Sequence, residues 1–302
     1  MKQEFNPGFT PVPSVNFHLW QPCNMRCKFC FATFQDVKQT VLPKGHLPRE
    51  QALLVVKAVC TAGFKKITFV GGEPTLCPWL LELIQEAKAH GLTTMLVTNG
   101  SRLTPDYLEK LKPVLDWLCL SIDSLDPQVN GAAGRKQNNT EAFDEAKYRE
   151  LVTVIKTFSF RFKINTVVHR LNYWEDMAAF IHWAKPDRWK LFRVLPVQGQ
   201  NYGLHNELLI TGNEFEQYIQ LHYSKGCNPI AEDNEDMQGS YAMVDPAGRF
   251  YDSSKGYHTY SDPILQVGTQ KAYKQVTINP VKFEERGGFY EWEPAMNSSI
   301  VN

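Results

Sequence analysis

SVNFHLWQPCNMRCKFC, residues 14–30, decides how the rest of the chain is read. Within it VNFHLW (15–20) alternates as a half-buried strand does. The loop CNMRCKFC (23–30) follows at once and places Cys23, Cys27 and Cys30 at C-x3-C-x2-C spacing. Three thiolates so close on one loop can surround a soft metal centre. A structural zinc wants four ligands, and His18 and His46 are the candidates for the fourth, without the usual paired-knuckle spacing. An iron–sulfur cluster normally takes four cysteines, so three would leave one iron open to an outside ligand. A chance group of buried thiols is the third reading. The chain has seven cysteines, an odd number, and a disulfide framework is not expected.

Outward from this loop, helices and strands alternate. LPREQALLVVKAVCTAG (47–63) has helical spacing and stops at Gly63, KKITFV (65–70) reads as a buried strand, and PWLLELIQEAKAHG (78–91) is a helix stopped by Gly91. LTTMLVTNG is a strand and turn, TPDYLEKLKPVL a short helix with a Thr cap and Pro105 in its first turn, and DWLCLSID a strand. Residues 141–158 read as a helix, FRFKINTVV as a strand, 174–184 as a helix and DRWKLFRVLPV as a strand. About six βα units predict an α/β fold, either an open sheet or a partial (β/α)6 barrel short of the eight units of a closed one. From about residue 200 the pattern breaks, with short strands at GSYAMVD and GRFYDSS. The expected division is a lead-in over 1–13, a barrel over 14–199, and an extension over 200–302 that closes the site.

Composition narrows the class. The 302 residues are 43% hydrophobic and 21% charged, enough for a proper core and against disorder. Lys plus Arg is 32 and Asp plus Glu is 32; a neutral chain is a poor partner for nucleic acid, although it can hold a local basic pocket. No apolar run is long enough to cross a bilayer, and the N-terminus lacks the features of a signal peptide. The expectation is a cytoplasmic protein without a membrane partner.

Further motifs fall at strand ends, where α/β folds bind ligands. VGGEP (70–74) ends the second strand; Gly72 lets backbone approach a ligand, and Glu73 can pair with an ammonium group. TNGS (98–101), LSIDS (120–124) and the Gly134–Arg135 pair place polar groups in the same layout. For Asn99 and Ser121 the plain alternative is a local turn hydrogen bond, and for Arg135 a solvent-facing side chain. Lys163 and Asn165 share a strand face with Arg161, and Arg188 and Lys190 share one across Trp189. In a parallel barrel such cations can meet at the mouth and hold an anion. Asn16 and His18 on the first strand face the substrate in this reading; a satisfied core histidine is the alternative for His18.

The cysteine triad, with the aromatic Phe29 before its last member, resembles the signature of the radical S-adenosylmethionine (SAM) superfamily. The resemblance implies a 4Fe–4S cluster on Cys23, Cys27 and Cys30, SAM on its open iron, and one-electron cleavage to a 5′-deoxyadenosyl radical. It also implies SAM contacts at Phe29, Gly72, Glu73, Asn99, Ser121 and Arg135, and an electron donor such as a flavodoxin or ferredoxin. SVNFHLWQPCNMRCKFCFATF, KKITFVGGEPTL, FKINTVVHRLNYWEDM, PDRWKLFRVLPVQGQN, ILQVG and RGGFYEW (286–292) together resemble the viperin family. That likeness runs from residue 14 to about 293 and implies conversion of CTP to 3′-deoxy-3′,4′-didehydro-CTP, an antiviral chain terminator, with UTP or GTP as other substrates of prokaryotic forms. By the same likeness Lys66 joins the phosphate-binding set, no side chain of the protein abstracts the hydrogen, and Tyr241 closes over the nucleotide. There are departures: the membrane helix of vertebrate forms is not expected here, Val70 replaces a serine, and GAAGRKQNN (131–139) is less basic. Other readings are a radical SAM enzyme acting on a peptide or other small molecule, and a non-catalytic metal-binding protein. A second cluster is disfavoured, since the last third holds only Cys227.

Overall fold

Among the residues described by the computed structural model, 9–201 and 207–292, the chain forms twelve strands. The start of the lead-in, residues 202–206, and the end of the extension from 293 onward lie outside the described residues. The strands are β1 (Ser14–Trp20), β2 (Lys66–Gly71), β3 (Thr93–Thr98), β4 (Trp117–Ser121), β5 (Lys136–Gln137), β6 (Glu141–Ala142), β7 (Arg161–Val168), β8 (Arg188–Arg193), β9 (Ile230–Glu232), β10 (Ala242–Val244), β11 (Arg249–Asp252) and β12 (Thr259–Pro263). Ten of them make one sheet in the order β12-β11-β10-β1-β2-β3-β4-β7-β8-β9. From β10 to β9 every pairing is parallel; β11 and β12 add antiparallel strands at one edge.

The fold is the expected α/β partial barrel. Apolar strands such as β2 suit a parallel sheet covered on both faces. The helix Arg49–Thr61 turns Ala52, Val55, Val56 and Val59 inward at helical spacing, and Gly63 ends the turn that follows with a φ of 98°. Pro105–Leu111 is capped by Thr104, whose hydroxyl accepts from the Tyr107 amide at 3.2 Å.

Three boundaries differ from expectation. The helix after β6 begins at Glu145, because the Asp144 carboxylate caps it by accepting from the Lys147 amide at 2.8 Å; residues 141–142 instead pair with β5 in a hairpin. The next helix starts at Ala178 rather than 174, where Asp176 accepts from the Ala178 amide at 3.0 Å. The segment after residue 200 contributes strands at both edges of the sheet, β9 beside β8 and β10 beside β1.

The strand period of two decides what faces the barrel interior. Asn16 and His18, Lys66, Thr68 and Val70, Met95 and Val97, Ser121, Lys163 and Asn165, Arg188 and Lys190 all line one cavity. The cysteine loop crowns its carboxyl edge. The cations do not gather at that mouth. Lys66 and Arg188 are the first residues of β2 and β8, and Lys163 is the third of β7, in register with Arg188. They therefore lie toward the amino ends of the strands, deep below the cysteines.

Candidate active site

The cavity measures about 670 Å³ and runs from the cysteine loop down to the cationic end. Every cysteine, SAM-contact and nucleotide-contact residue anticipated from the sequence lines it, from Asn16 on the first strand to Tyr241 near the tenth.

At the upper end the cysteine loop is pinned from both sides by backbone. The Glu73 amide donates to the Pro22 carbonyl at 3.0 Å, the Arg26 amide to Gly134 at 3.2 Å, and the Lys28 amide to Ala133 at 2.9 Å. A Cβ at Gly72 would run into the carbonyls of Gln21 and Pro22, and one at Gly134 into that of Arg26. Gly134 also has a φ of 78°. These glycines are required for close backbone approach as well as for turning. All three cysteines are free. Burial pushes the thiols of Cys23 and Cys27 up to about 11 and about 12, and that of Cys30 upward as well. Only a strong local cation such as iron would make them thiolates.

The donor set fits a cluster held by three cysteines. Among the described residues neither candidate for a fourth zinc ligand is grouped with the cysteines. His46 stacks on Trp20 at 3.9 Å, outside the cavity lining. His18 is packed among Phe34, Tyr251 and Phe31, and burial with a contribution from His258 lowers its pKa to about 3. Among the described residues no group of three His, Cys, Asp or Glu side chains is drawn together around a single-ion site.

The neighbouring strand ends are wired to one another. Glu73 is buried; its Oε1 accepts from the Thr75 amide at 3.1 Å and from the Thr75 and Thr98 hydroxyls at 2.6 Å, and its Oε2 from the Asn99 amide at 2.8 Å. The Asn99 side chain makes the local turn bond to the Ser101 amide at 2.9 Å and donates to Asn24 of the cysteine loop at 3.0 Å. Arg135 does not face solvent. It is buried and meets Asp123 Oδ2 at 3.0 Å, in an ion contact rather than an aligned hydrogen bond. It also donates to the Ser121 carbonyl and reaches Cys27 Sγ at 3.9 Å. Burial opposes its charge, but Asp123, Tyr148 and Cys27 outweigh that cost and hold it protonated. Phe29 packs at 5.1 Å from His169.

At the lower end five cations converge: Lys66, Lys163, Arg188, Lys190 and Arg286. Arg286 and the carboxylate Glu232 were not singled out beforehand. Glu232 is fully buried and ion-paired to Lys190, with Arg286 at 3.3 Å; it also accepts from the Tyr241 hydroxyl. Burial raises its pKa, but Lys190 and Arg286 reverse that and keep it ionised. Arg286 lies over the Tyr241 ring at 3.6 Å, and Arg188 over the Tyr290 ring at 4.1 Å. Lys66 donates to the Tyr290 hydroxyl. Among the described residues no hydrogen bond or ion pair engages the Lys163 ammonium. Burial first, then mutual repulsion, lowers the pKa of Lys66 well below the usual range. Burial likewise lowers Lys163 and Lys190. Asn165 leaves Oδ1 buried without a partner, an acceptor in want of a ligand. The RGGFYEW stretch was visible in the sequence, but nothing local indicated that Arg286 would reach Tyr241. Glu232 lies in a three-residue strand too short for periodicity to mark.

The profile of the radical SAM superfamily matches residues 20–184. A Flammeovirga pacifica protein called S-adenosylmethionine-dependent nucleotide dehydratase is 53% identical over 286 residues, 95% of this chain and 98% of the relative. One of the same name from Lacinutrix mariniflava is 51% identical over 290 residues, 96% of this chain but 60% of that longer protein. The solved structure of native anSMEcpe with bound AdoMet shares the fold, with a TM-score of 0.67 at 16% identity over 90% of this chain and 82% of its own. A cysteine loop pinned at the carboxyl edge of such a barrel, together with similarity over nearly the whole length, means that the chain belongs to the radical SAM superfamily and, within it, to the viperin-like family of S-adenosylmethionine-dependent nucleotide dehydratases.

Proposed function

We propose that this enzyme binds a ribonucleoside triphosphate along the barrel axis and converts it to the 3′-deoxy-3′,4′-didehydro analogue, a chain terminator of antiviral use. CTP is the preferred substrate in this reading, with UTP and GTP as the alternatives. The observation that carries it is the two-ended cavity: three thiols at one end, and five cations sharing one carboxylate at the other. A cluster of buried cations this short of counter-charge is built for a polyanion.

As a radical SAM enzyme the chain uses a 4Fe–4S cluster, on Cys23, Cys27 and Cys30, and SAM. The chemistry supplied by these groups when bound is one-electron cleavage and abstraction of hydrogen. The protein's own part is to bind and orient. Glu73 keeps acceptor capacity on Oε2 for the ammonium of SAM, beside the Gly72 backbone. Arg135, clamped on Asp123 and Ser121, offers its remaining capacity to a carboxylate, while Asn99, Ser121 and Phe29 complete that wall. Lys66, Lys163, Arg188, Lys190 and Arg286 grip the phosphates, Tyr241 covers them, and Asn16 and Asn165 face the sugar between the two ends. Val70, Val97 and Val167 line the same cavity with apolar surface that helps exclude water. The enzyme works in the cytoplasm, where thiols stay reduced, and takes its electron from a flavodoxin- or ferredoxin-type donor.

The test is anaerobic turnover of iron-loaded protein with SAM, dithionite and each of the four ribonucleoside triphosphates. Mass spectrometry should find 5′-deoxyadenosine and a nucleotide lighter by one water. SAM cleavage that no nucleotide stimulates would move the search to a peptide or another small molecule.

A further inference from the structure

We infer that the cationic end takes its triphosphate as the free anion, without a divalent metal ion. This rests on the triphosphate reading above and concerns the ionic form that fits. The five cations line the cavity, while Glu232, the carboxylate paired among them, is fully buried behind Lys190, Arg286 and Tyr241 and does not reach the cavity wall. Among the described residues, five positive groups less one negative leave four positive charges when the lysines are protonated. The nearby arginines add nothing to this sum: Arg161 is paired with Asp187 at 2.8 Å and Arg193 with Asp233 at 2.9 Å. A free ribonucleoside triphosphate carries about four negative charges near neutral pH, and its magnesium complex about two. The free anion balances the site; the complex leaves buried charge uncompensated, which a low-dielectric interior penalises heavily.

Ligand chemistry points the same way. Protein-bound magnesium on a nucleotide is usually held by one or two carboxylates besides the phosphates. Among the described residues the carboxylates lining the cavity are Glu73 and Asp123, and both belong to the cysteine end. Asp123 is committed to Arg135 and to the Val167 amide at 2.8 Å, and Glu73 to Thr75, Thr98 and Asn99. Among the described residues, the phosphate end offers a metal ion ammonium and guanidinium groups, neutral polar side chains, glycine backbone, thioethers and aromatic rings, and no carboxylate on the cavity wall. The lowered pKa values of Lys66, Lys163 and Lys190 agree with a site short of anion.

The experiment is anaerobic calorimetric titration of cluster-loaded, SAM-bound protein. Two ligands are used, CTP and inorganic tripolyphosphate, which lacks base and sugar, each in EDTA and in rising magnesium. Binding should be tightest in EDTA, and the apparent Kd should weaken about tenfold or more as magnesium complexes most of the ligand. Equal or tighter affinity in magnesium overturns the inference and leaves the triphosphate reading standing. No binding of either ligand under either condition removes both. Tripolyphosphate binding in EDTA without CTP binding supports the inference and removes only CTP.

Discussion

Lys163 shows how far a single residue can be read. Strand alternation was enough to turn it inward with Asn165, and among the described residues its ammonium has no ion-pair partner in the cavity wall. Lys163→Ala should retain the cluster and SAM cleavage chemistry but weaken nucleotide binding about 30-fold or more, the usual scale for losing a buried charged contact. Unchanged affinity in a titration would remove Lys163 from the phosphate set. Cys27→Ala should abolish iron binding and 5′-deoxyadenosine formation while circular dichroism stays native, because Cys27 packs at the cavity edge and carries no sheet pairing. Detectable 5′-deoxyadenosine from that variant would break the cluster assignment. The residues that escaped sequence reading did so for physical reasons. Arg286 meets Tyr241 only through folding, and although Arg135 was named for SAM, its burial was hidden because its counter-ion Asp123 belongs to a different turn.

Among elements, length decided legibility. Strands of five or more residues in the barrel body were all visible as apolar or alternating runs; three-residue β10 was still read within GSYAMVD, whereas three-residue β9 was not and owes its pairing to the edge it joins. β6, one half of the β5–β6 hairpin, was read as helix because its residues run into a true amphipathic segment, and only the Asp144 cap separates them. The turn before that hairpin has a function in this reading. Through Ala133 and Gly134 it accepts two amides of the cysteine loop, and the Asn138 amide donates to Asn24 at 2.7 Å. Gly134→Ala combines a positive φ with a collision against the Arg26 carbonyl, a local cost of about 1–3 kcal/mol. The expected result is a lower iron-to-protein ratio after reconstitution with little change in far-ultraviolet circular dichroism. Full iron retention would show that the cysteine loop does not depend on this clamp.

For the molecule as a whole, the cationic end couples nucleotide binding to pH. Unfolded lysines titrate near 10.4, while burial lowers Lys66, Lys163 and Lys190 in the folded, nucleotide-free protein. The folded state therefore binds fewer protons. Its electrostatic cost is fully present below the folded values and is relieved as pH rises toward the unfolded value. A polyanion restores the lysines toward their ordinary range, so binding should take up protons and tighten as pH falls through the lowered range. Calorimetry in two buffers of different ionisation enthalpy measures this directly, and net proton release on CTP binding would contradict it. The separation of thiols from cations has a consequence of its own. A ligand anchored at the floor and acted on at the rim is gauged by the depth of the barrel, so the number of phosphates sets which sugar carbon stands opposite the reactive group. A nucleoside diphosphate of the same base should still enter, yet sit one phosphate too low and turn over poorly.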